Sequence, residues 1–170
     1  NDGTLVNGAV FNFTGSPYNT SVQFDGVDDY IQTNLAPSGY NAITMSAWVN
    51  LYTVNSYPMI LSYGVDFTQN VPELRFSEAT GKVEFVRKAD NVGITDTVNL
   101  AGTGWHHVVG VSNKTTLTLY KDGALVGTGA HVTILDSTTP FRIGRRPDNT
   151  LPFNGSIDEV MIYNTALTAQ

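Results

Sequence analysis

Apolar side chains recur at every second position along most of this chain. The alternation is clear in Ser21–Phe24, Thr44–Val49, Lys82–Val86 and Thr116–Tyr120. A two-residue period places successive side chains on opposite faces of an extended backbone, so each segment predicts a strand with one buried face. No stretch of ten or more residues shows the helical period. These patterns predict an all-β fold with almost no helix.

Turn-forming residue pairs separate the predicted strands at short intervals. They include Asp25-Gly26, Thr80-Gly81, Asp122-Gly123 and Asn154-Gly155. Asp122-Gly123 lies between two alternating runs, where both residues can adopt the positive φ angles of a tight hairpin. We therefore interpret Asp122 as a turn residue rather than a ligand. Many short strands at this spacing predict a sandwich or a barrel.

Composition narrows the classes of partner. The 170 residues suit a single domain, residues 1–170, and the formal net charge is −6 without any basic cluster. Nucleic acid is therefore a poor partner, because phosphate recognition needs concentrated Lys and Arg. No apolar run is long enough for membrane insertion. The chain has no cysteine and begins at Asn1, so we expect no disulfide and a piece of a larger protein.

Three sequence blocks lie in the same order as in a known family. They are Val22–Ile31 with its Phe-Asp-Gly-Val-Asp-Asp-Tyr run, the pair Ile43–Val49 and Gly104–Val109, and the closing Phe141–Gly144 with Phe153–Leu167. Together they resemble the laminin-G-like jelly-roll family of the concanavalin A-like lectin and glucanase superfamily. Thr165 departs from the pattern, since the family usually has a basic residue there. The resemblance implies a two-sheet antiparallel β-sandwich of the jelly-roll type.

The resemblance also implies a structural calcium ion where the first and last blocks meet. The matching positions are Asp25, Gly26 and Asp158, with Asp28 nearby. Carboxylates and main-chain carbonyls are the oxygen ligands that calcium prefers. The alternative is that Asp25 and Asp28 only shape an Asp-Gly turn, while Asp158 lies at the solvated start of a strand.

The sequence predicts no catalytic site. A glucanase on this scaffold needs paired carboxylates on one strand, and the Glu-x-Asp-x-x-Glu spacing is absent. His106 and His107 are neighbours, so in a strand they face opposite sides, and we interpret them as structural. Trp48 and Trp105 fall in strand blocks, and we interpret them as core residues rather than sugar-stacking residues.

Candidate ligand-binding residues lie in the less regular stretches. They are Tyr52, Tyr57, Tyr63, Arg145, Arg146 and Asn149. Tyrosine rings and guanidinium groups supply the flat apolar faces and hydrogen-bond donors that sugars require. The alternative is that the tyrosines cover a sheet face and the arginines only solvate a loop.

The sequence as a whole predicts a non-catalytic recognition or adhesion module that binds carbohydrate or glycoprotein. Its expected location is extracellular, on a cell surface or on a virion surface, with other domains of a larger parent protein as further partners. The alternative is a structural spacer or decoration domain that mediates protein–protein contacts. Both functions rest on analogy at the level of the fold.

Overall fold

The computed structural model describes residues 3–54, 56–64, 70–87, 89–133, 135 and 137–168. These residues form strands and turns without any helix. The strands are β1 (Gly3–Val6), β2 (Val10–Asn12), β3 (Ser21–Asp25), β4 (Tyr30–Thr33), β5 (Ile43–Leu51), β6 (Met59–Ser62), β7 (Pro72–Phe76), β8 (Lys82–Arg87), β9 (Val92–Asn99), β10 (His106–Ser112), β11 (Thr116–Lys121), β12 (Ala124–Ala130), β13 (Arg142–Ile143) and β14 (Asn154–Tyr163).

The strands form two antiparallel sheets of seven strands each. Sheet A has the order β1-β4-β13-β6-β7-β8-β9, and sheet B has the order β12-β11-β10-β5-β14-β3-β2. The neighbours in both sheets are joined by antiparallel pairing. The predicted two-sheet sandwich is therefore confirmed.

No helix of the described part is long and apolar enough to cross a membrane.

The core lies between the sheets and is built by the predicted alternation. In β5 the inward residues Ile43, Met45, Ala47, Val49 and Leu51 are each at most 1% exposed. Sheet A contributes Leu61, Leu74, Phe76, Val83 and Phe85 to the same cluster. Burying a side chain of this size stabilises a fold by about 1.5–3 kcal/mol relative to exposure. The sheets approach so closely at Gly110 that a Cβ there would lie 2.4 Å from the Phe85 ring.

The two open sides of the sandwich differ. On one side β9 of sheet A contacts β12 of sheet B and closes the core. On the other side the edge strands β1 and β2 leave an apolar cleft of about 540 Å³, lined by Leu5, Val22 and Ile31 among others. Phe11 of β2 faces this cleft and is 57% exposed.

The last strand, β14, occupies a central position between β5 and β3 in sheet B. Its register with β5 shifts between Asp158 and Met161, and Glu159 has a φ of 45°. An extra residue with positive φ is the geometry of a β-bulge.

The hairpin between β11 and β12 also forms as predicted, with φ of 50° at Asp122 and 80° at Gly123.

Candidate functional site

The turn between β3 and β4 gathers three carboxylates, and we call Asp25–Asp29 the acidic turn. Gly26 has a φ of 82°, a conformation that glycine adopts without strain, and it reverses the chain. One carboxylate oxygen from each of Asp25, Asp28 and Asp29 lies within 4.8 Å of the others. The turn therefore brings together two of the predicted metal-ligating aspartates and adds Asp29.

Asp29 has a structural function in this turn. Its Oδ1 accepts a hydrogen bond from the Gly8 amide at 2.6 Å, and its Oδ2 accepts one from the Asp25 amide at 2.9 Å. The Val27 amide donates to Asp25 Oδ1 at 2.7 Å. These bonds satisfy backbone groups and fix the turn to the β1–β2 connection. The Asp28 carboxylate is half-buried beside them.

The donor set of the acidic turn fits calcium chemistry, since calcium takes six to eight oxygen ligands, including carboxylates. The proposed ligand Asp158 requires correction. Asn154 pairs with Asp25 across the β14–β3 ladder. Asp158 is four residues further along β14, which at about 3.3 Å per residue is about 13 Å away. Its carboxylate instead accepts hydrogen bonds from the Ser16 hydroxyl and the Glu159 amide.

The predicted ligand-binding arginines are engaged within the protein. Arg145 donates to the main-chain oxygen of Asp28 at 3.0 Å and to that of Asn149. Arg146 is 5% exposed and forms an ion pair with Asp148 at 2.8 Å. Burial alone would raise the pKa of Asp148, but the guanidinium of Arg146 holds that pKa below its usual value. Arg145 therefore connects the late loop to the acidic turn, whereas the ion pair of Arg146 with Asp148 lies within the late loop. Asn149 is exposed.

The three predicted ligand-binding tyrosines lie in three different environments. Tyr63 is fully buried against Phe141 with ring centroids 4.8 Å apart, and burial raises its pKa strongly. It is a core residue, so its prediction as a ligand-binding residue requires correction. The Arg75 guanidinium lies 4.5 Å from the centre of the Tyr57 ring at sheet A. Tyr52 is 40% exposed and bonds through its hydroxyl to Ser156 on sheet B.

A buried charge cluster joins β7 to β8 on sheet A. Arg75 contacts Glu84 at 2.7 Å and Glu73 at 3.0 Å, and its third nitrogen donates to Asn91. Arg75 is 2% exposed. Paired carboxylates are the catalytic residues of most glycosidases, but in those enzymes they must reach a glycosidic bond and water. Here both carboxylates are buried and share one guanidinium, so neither is open to a glycosidic bond and water.

An aromatic surface lies on the outer face of sheet B, and sequence reasoning missed it. Because Ala47 and Val49 face the core, the intervening Trp48 faces outward and is half-buried. Trp48 pairs with His107 across β5 and β10, with ring centroids 5.3 Å apart. Tyr18 contacts Trp48 edge-on at 6.0 Å. We call Tyr18, Trp48, Trp105 and His107 the aromatic patch.

Hydrogen bonds fix the aromatic patch in place. The Trp105 indole nitrogen donates to the Gly15 oxygen, and Ser16 bonds to Asp158, so the segment before β3 is held over the sheet. His107 Nε2 bonds to Ser46 Oγ at 2.8 Å, and burial lowers the pKa of His107. The interpretation of Trp48 and Trp105 as core residues requires correction, because both are half-buried.

Asp122 supports the patch from the neighbouring hairpin. Its Oδ1 accepts from the His107 amide at 2.9 Å, and its Oδ2 contacts His106 Nδ1 at 2.8 Å. The remaining His106 nitrogen, Nε2, lies 2.9 Å from the Thr103 hydroxyl. His106 and Asp122 therefore fix the start of β10 to the β11–β12 turn.

This architecture of two antiparallel seven-stranded sheets is that of a concanavalin A-like β-sandwich. The chain belongs to the laminin G family of the concanavalin A-like lectin/glucanases superfamily, whose family model matches residues 25–170. A search of the curated proteins found no match.

Several solved structures have a similar fold at low sequence identity. Domain 4 of AbnA, a GH43 extracellular arabinanase from Geobacillus stearothermophilus in complex with arabinotriose, is 16% identical with a TM-score of 0.75, covering 98% of this chain and 84% of that one. The binding domain of Paraclostridial Mosquitocidal Protein 1 is 13% identical with a TM-score of 0.72, covering 98% and 45%. The CBM40 of Ruminococcus gnavus IT-sialidase bound to α2,3-sialyllactose is 15% identical with a TM-score of 0.67, covering 88% and 92%.

Proposed function

We propose that this chain is a non-catalytic carbohydrate-binding module of a larger secreted or cell-surface protein. The observation that carries the proposal is the aromatic patch, in which Trp48 and His107 lie side by side on a sheet face. Flat apolar rings match the C–H faces of sugars, and nearby polar groups match their hydroxyls. Asn50 and Asp158 are the polar neighbours of Trp48 on the same face of sheet B.

Two of the similar structures support a sugar as the ligand, because they contain arabinotriose and sialyllactose respectively. The buried state of the Arg75 cluster supports a binding rather than a hydrolytic function. The second candidate function is a spacer or decoration domain for protein–protein contacts. It draws support from the exposed apolar residues of β2, Val10 at 53% and Phe11 at 57%.

We also propose a structural calcium ion at the acidic turn. Asp25, Asp28 and Asp29 would hold it, and the two positive charges of a bound calcium ion would offset most of the negative charge of the three adjacent carboxylates. Asp28 and Asp29 follow Gly26 closely, and Arg145 and Gly8 connect the same turn to two other loops. The ion would therefore order the rim of the sandwich rather than recognise the glycan.

The test is binding to a glycan array, followed by comparison of Trp48→Ala with Tyr57→Ala. We expect Trp48→Ala to lower affinity about tenfold or more, because it removes the ring on which the sugar stacks. A tenfold loss of affinity corresponds to about 1.4 kcal/mol of binding free energy. Tyr57→Ala removes a ring that lies over Arg75 at the opposite sheet, and it should bind as the unmodified protein does if the aromatic patch is the site. An equal loss of affinity in Tyr57→Ala would instead support the prediction of Tyr57 as a ligand-binding residue. Blank arrays in the presence of calcium would favour the spacer function.

A further inference from the structure

A shallow groove runs along the outer face of sheet B beside the aromatic patch. It consists of two adjoining depressions of about 340 and 390 Å³, which share Val111, Tyr120, Leu167 and Thr168. His107 lines the first depression and Asn113 the second. At about 3.3 Å per residue, the distance from His107 to Asn113 gives the groove a length of about 20 Å. This length suits a chain of several sugar rings better than a single sugar.

The segment after β14 forms one wall of the groove. Thr44 of the central strand β5 faces outward, yet it is completely buried beneath this segment. Its hydroxyl donates to the Thr165 oxygen at 2.8 Å and accepts from the Leu167 amide at 3.0 Å. The wall is therefore fixed to the sheet, and the groove is preformed, which lowers the entropy cost of binding.

The described residues that line the groove carry no charge at neutral pH. His107 is the one titratable imidazole among them, and burial lowers its pKa. The lysines that flank β11 point elsewhere, since Lys114 donates to Asn41 at 2.7 Å and Lys121 forms an ion pair with Asp96. A carboxylate, sulfate or phosphate on a ligand would find no cationic partner among the described residues that line this groove.

The groove presents apolar and hydroxyl groups in parallel rows. Val109 and Val111 of β10 lie beside the outward residues of β11, which are Thr116, Thr118 and Tyr120. A sugar chain has the same division between apolar C–H faces and hydroxyl edges. The Tyr120 ring supplies the stacking surface within the groove, as Trp48 does in the aromatic patch.

We propose that this groove binds a linear, uncharged oligosaccharide along β10 and β11, as a continuation of the aromatic patch at His107. The inference rests on the proposed function and specifies its ligand class. It distinguishes a module that binds the interior of a neutral polysaccharide from one that binds a terminal acidic sugar.

The experiment uses an array of neutral and anionic polysaccharides, followed by calorimetric titration with oligomers of the retained polysaccharide. We expect retention of neutral chains only, and an affinity that rises about tenfold or more from the disaccharide to the hexasaccharide as the groove fills. Tyr120→Ala should abolish that rise. Thr118→Tyr, which fills the groove with a residue favoured in strands, should do the same.

The matched control is Tyr163→Ala. Tyr163 is exposed and pairs with Thr44 across the β14–β5 ladder, so it lies on the same face of sheet B but outside the groove. It should leave the affinity unchanged, and melting temperatures of all variants establish that they fold. Retention of anionic chains, or full affinity in folded Tyr120→Ala and Thr118→Tyr, overturns the groove inference. If Trp48→Ala still loses binding in that case, the proposed function stands. If the protein retains no carbohydrate, both the groove inference and the proposed carbohydrate-binding function are wrong.

Discussion

His107 shows how one side chain is set by its position in the sheet. It faces outward next to Trp48 and bonds to the Ser46 hydroxyl at 2.8 Å. Burial lowers its pKa, and the negative charge of Asp122 only partly opposes this effect. The folded protein therefore favours the neutral imidazole, which can take part in a hydrogen bond without carrying charge into an apolar surface.

The lowered pKa of His107 predicts a pH-dependent stability. As the pH falls through the ordinary histidine pKa of about 6.5, the unfolded chain binds a proton before the folded one does. The free energy of unfolding therefore decreases as the pH falls, and the contribution is fully present above that pKa. Melting temperatures between pH 8 and pH 5 test this, and His107→Gln should flatten the dependence. His131→Gln is the control, and an equal flattening there would contradict the assignment to His107.

The outward position of Trp48 was available from the sequence. Once Ala47 and Val49 are assigned to the core face, the alternation places Trp48 on the other face. Tyr63 could not be assigned in this way, because it follows β6 directly and its burial depends on Phe141 from a distant segment. The position of Asp158 depends on the register of β14 against β3, which the order of sequence blocks does not specify.

The strands β7 and β8 are joined by a buried ion cluster as well as by backbone pairing. Arg75 and Glu84 occupy paired positions on the two strands. Glu73 approaches the same guanidinium from two residues away on β7. Charges that leave water in this way are stable only while every partner is present.

Arg75→Met should therefore destabilise the protein by about 3–5 kcal/mol, because it leaves two buried carboxylates without their cation. Urea denaturation at pH 7 measures the change. Arg87→Met is the matched control, since Arg87 pairs with Asp90 at an exposed position of the same hairpin region and should cost much less. Similar decreases in the free energy of unfolding of the two variants would show that burial of the ion pair does not determine the loss of stability.

The strands with strict alternation and their turns were predictable, because both depend on local chemistry. The hairpin at Asp122 and the core face of β5 follow from neighbouring residues alone. The bulge at Glu159 was not predictable, since a non-glycine residue with a φ of 45° gives no sequence signal. The groove also escaped prediction, because its wall at Thr165–Thr168 is held by Thr44, more than a hundred residues earlier.

Calcium at the acidic turn should stabilise the whole sandwich. An ion that binds only the folded state adds about 2.7 kcal/mol at a hundredfold excess over Kd. EDTA should therefore lower the melting temperature, and Asp28→Asn should remove this response. Asp158→Asn should retain the response, since Asp158 lies away from the turn. A melting curve that EDTA leaves unchanged would exclude the ion.

The central position of β14 has a consequence for biosynthesis. Sheet B cannot join β5 to β3 until Asn154–Tyr163 has been made, because β14 lies between them. During translation, β5 and β3 therefore remain without the strand that pairs with both of them while β14 is still inside the ribosome. Folding should therefore be completed only after most of the chain has left the exit tunnel, and a nascent chain stalled before residue 154 should remain sensitive to protease.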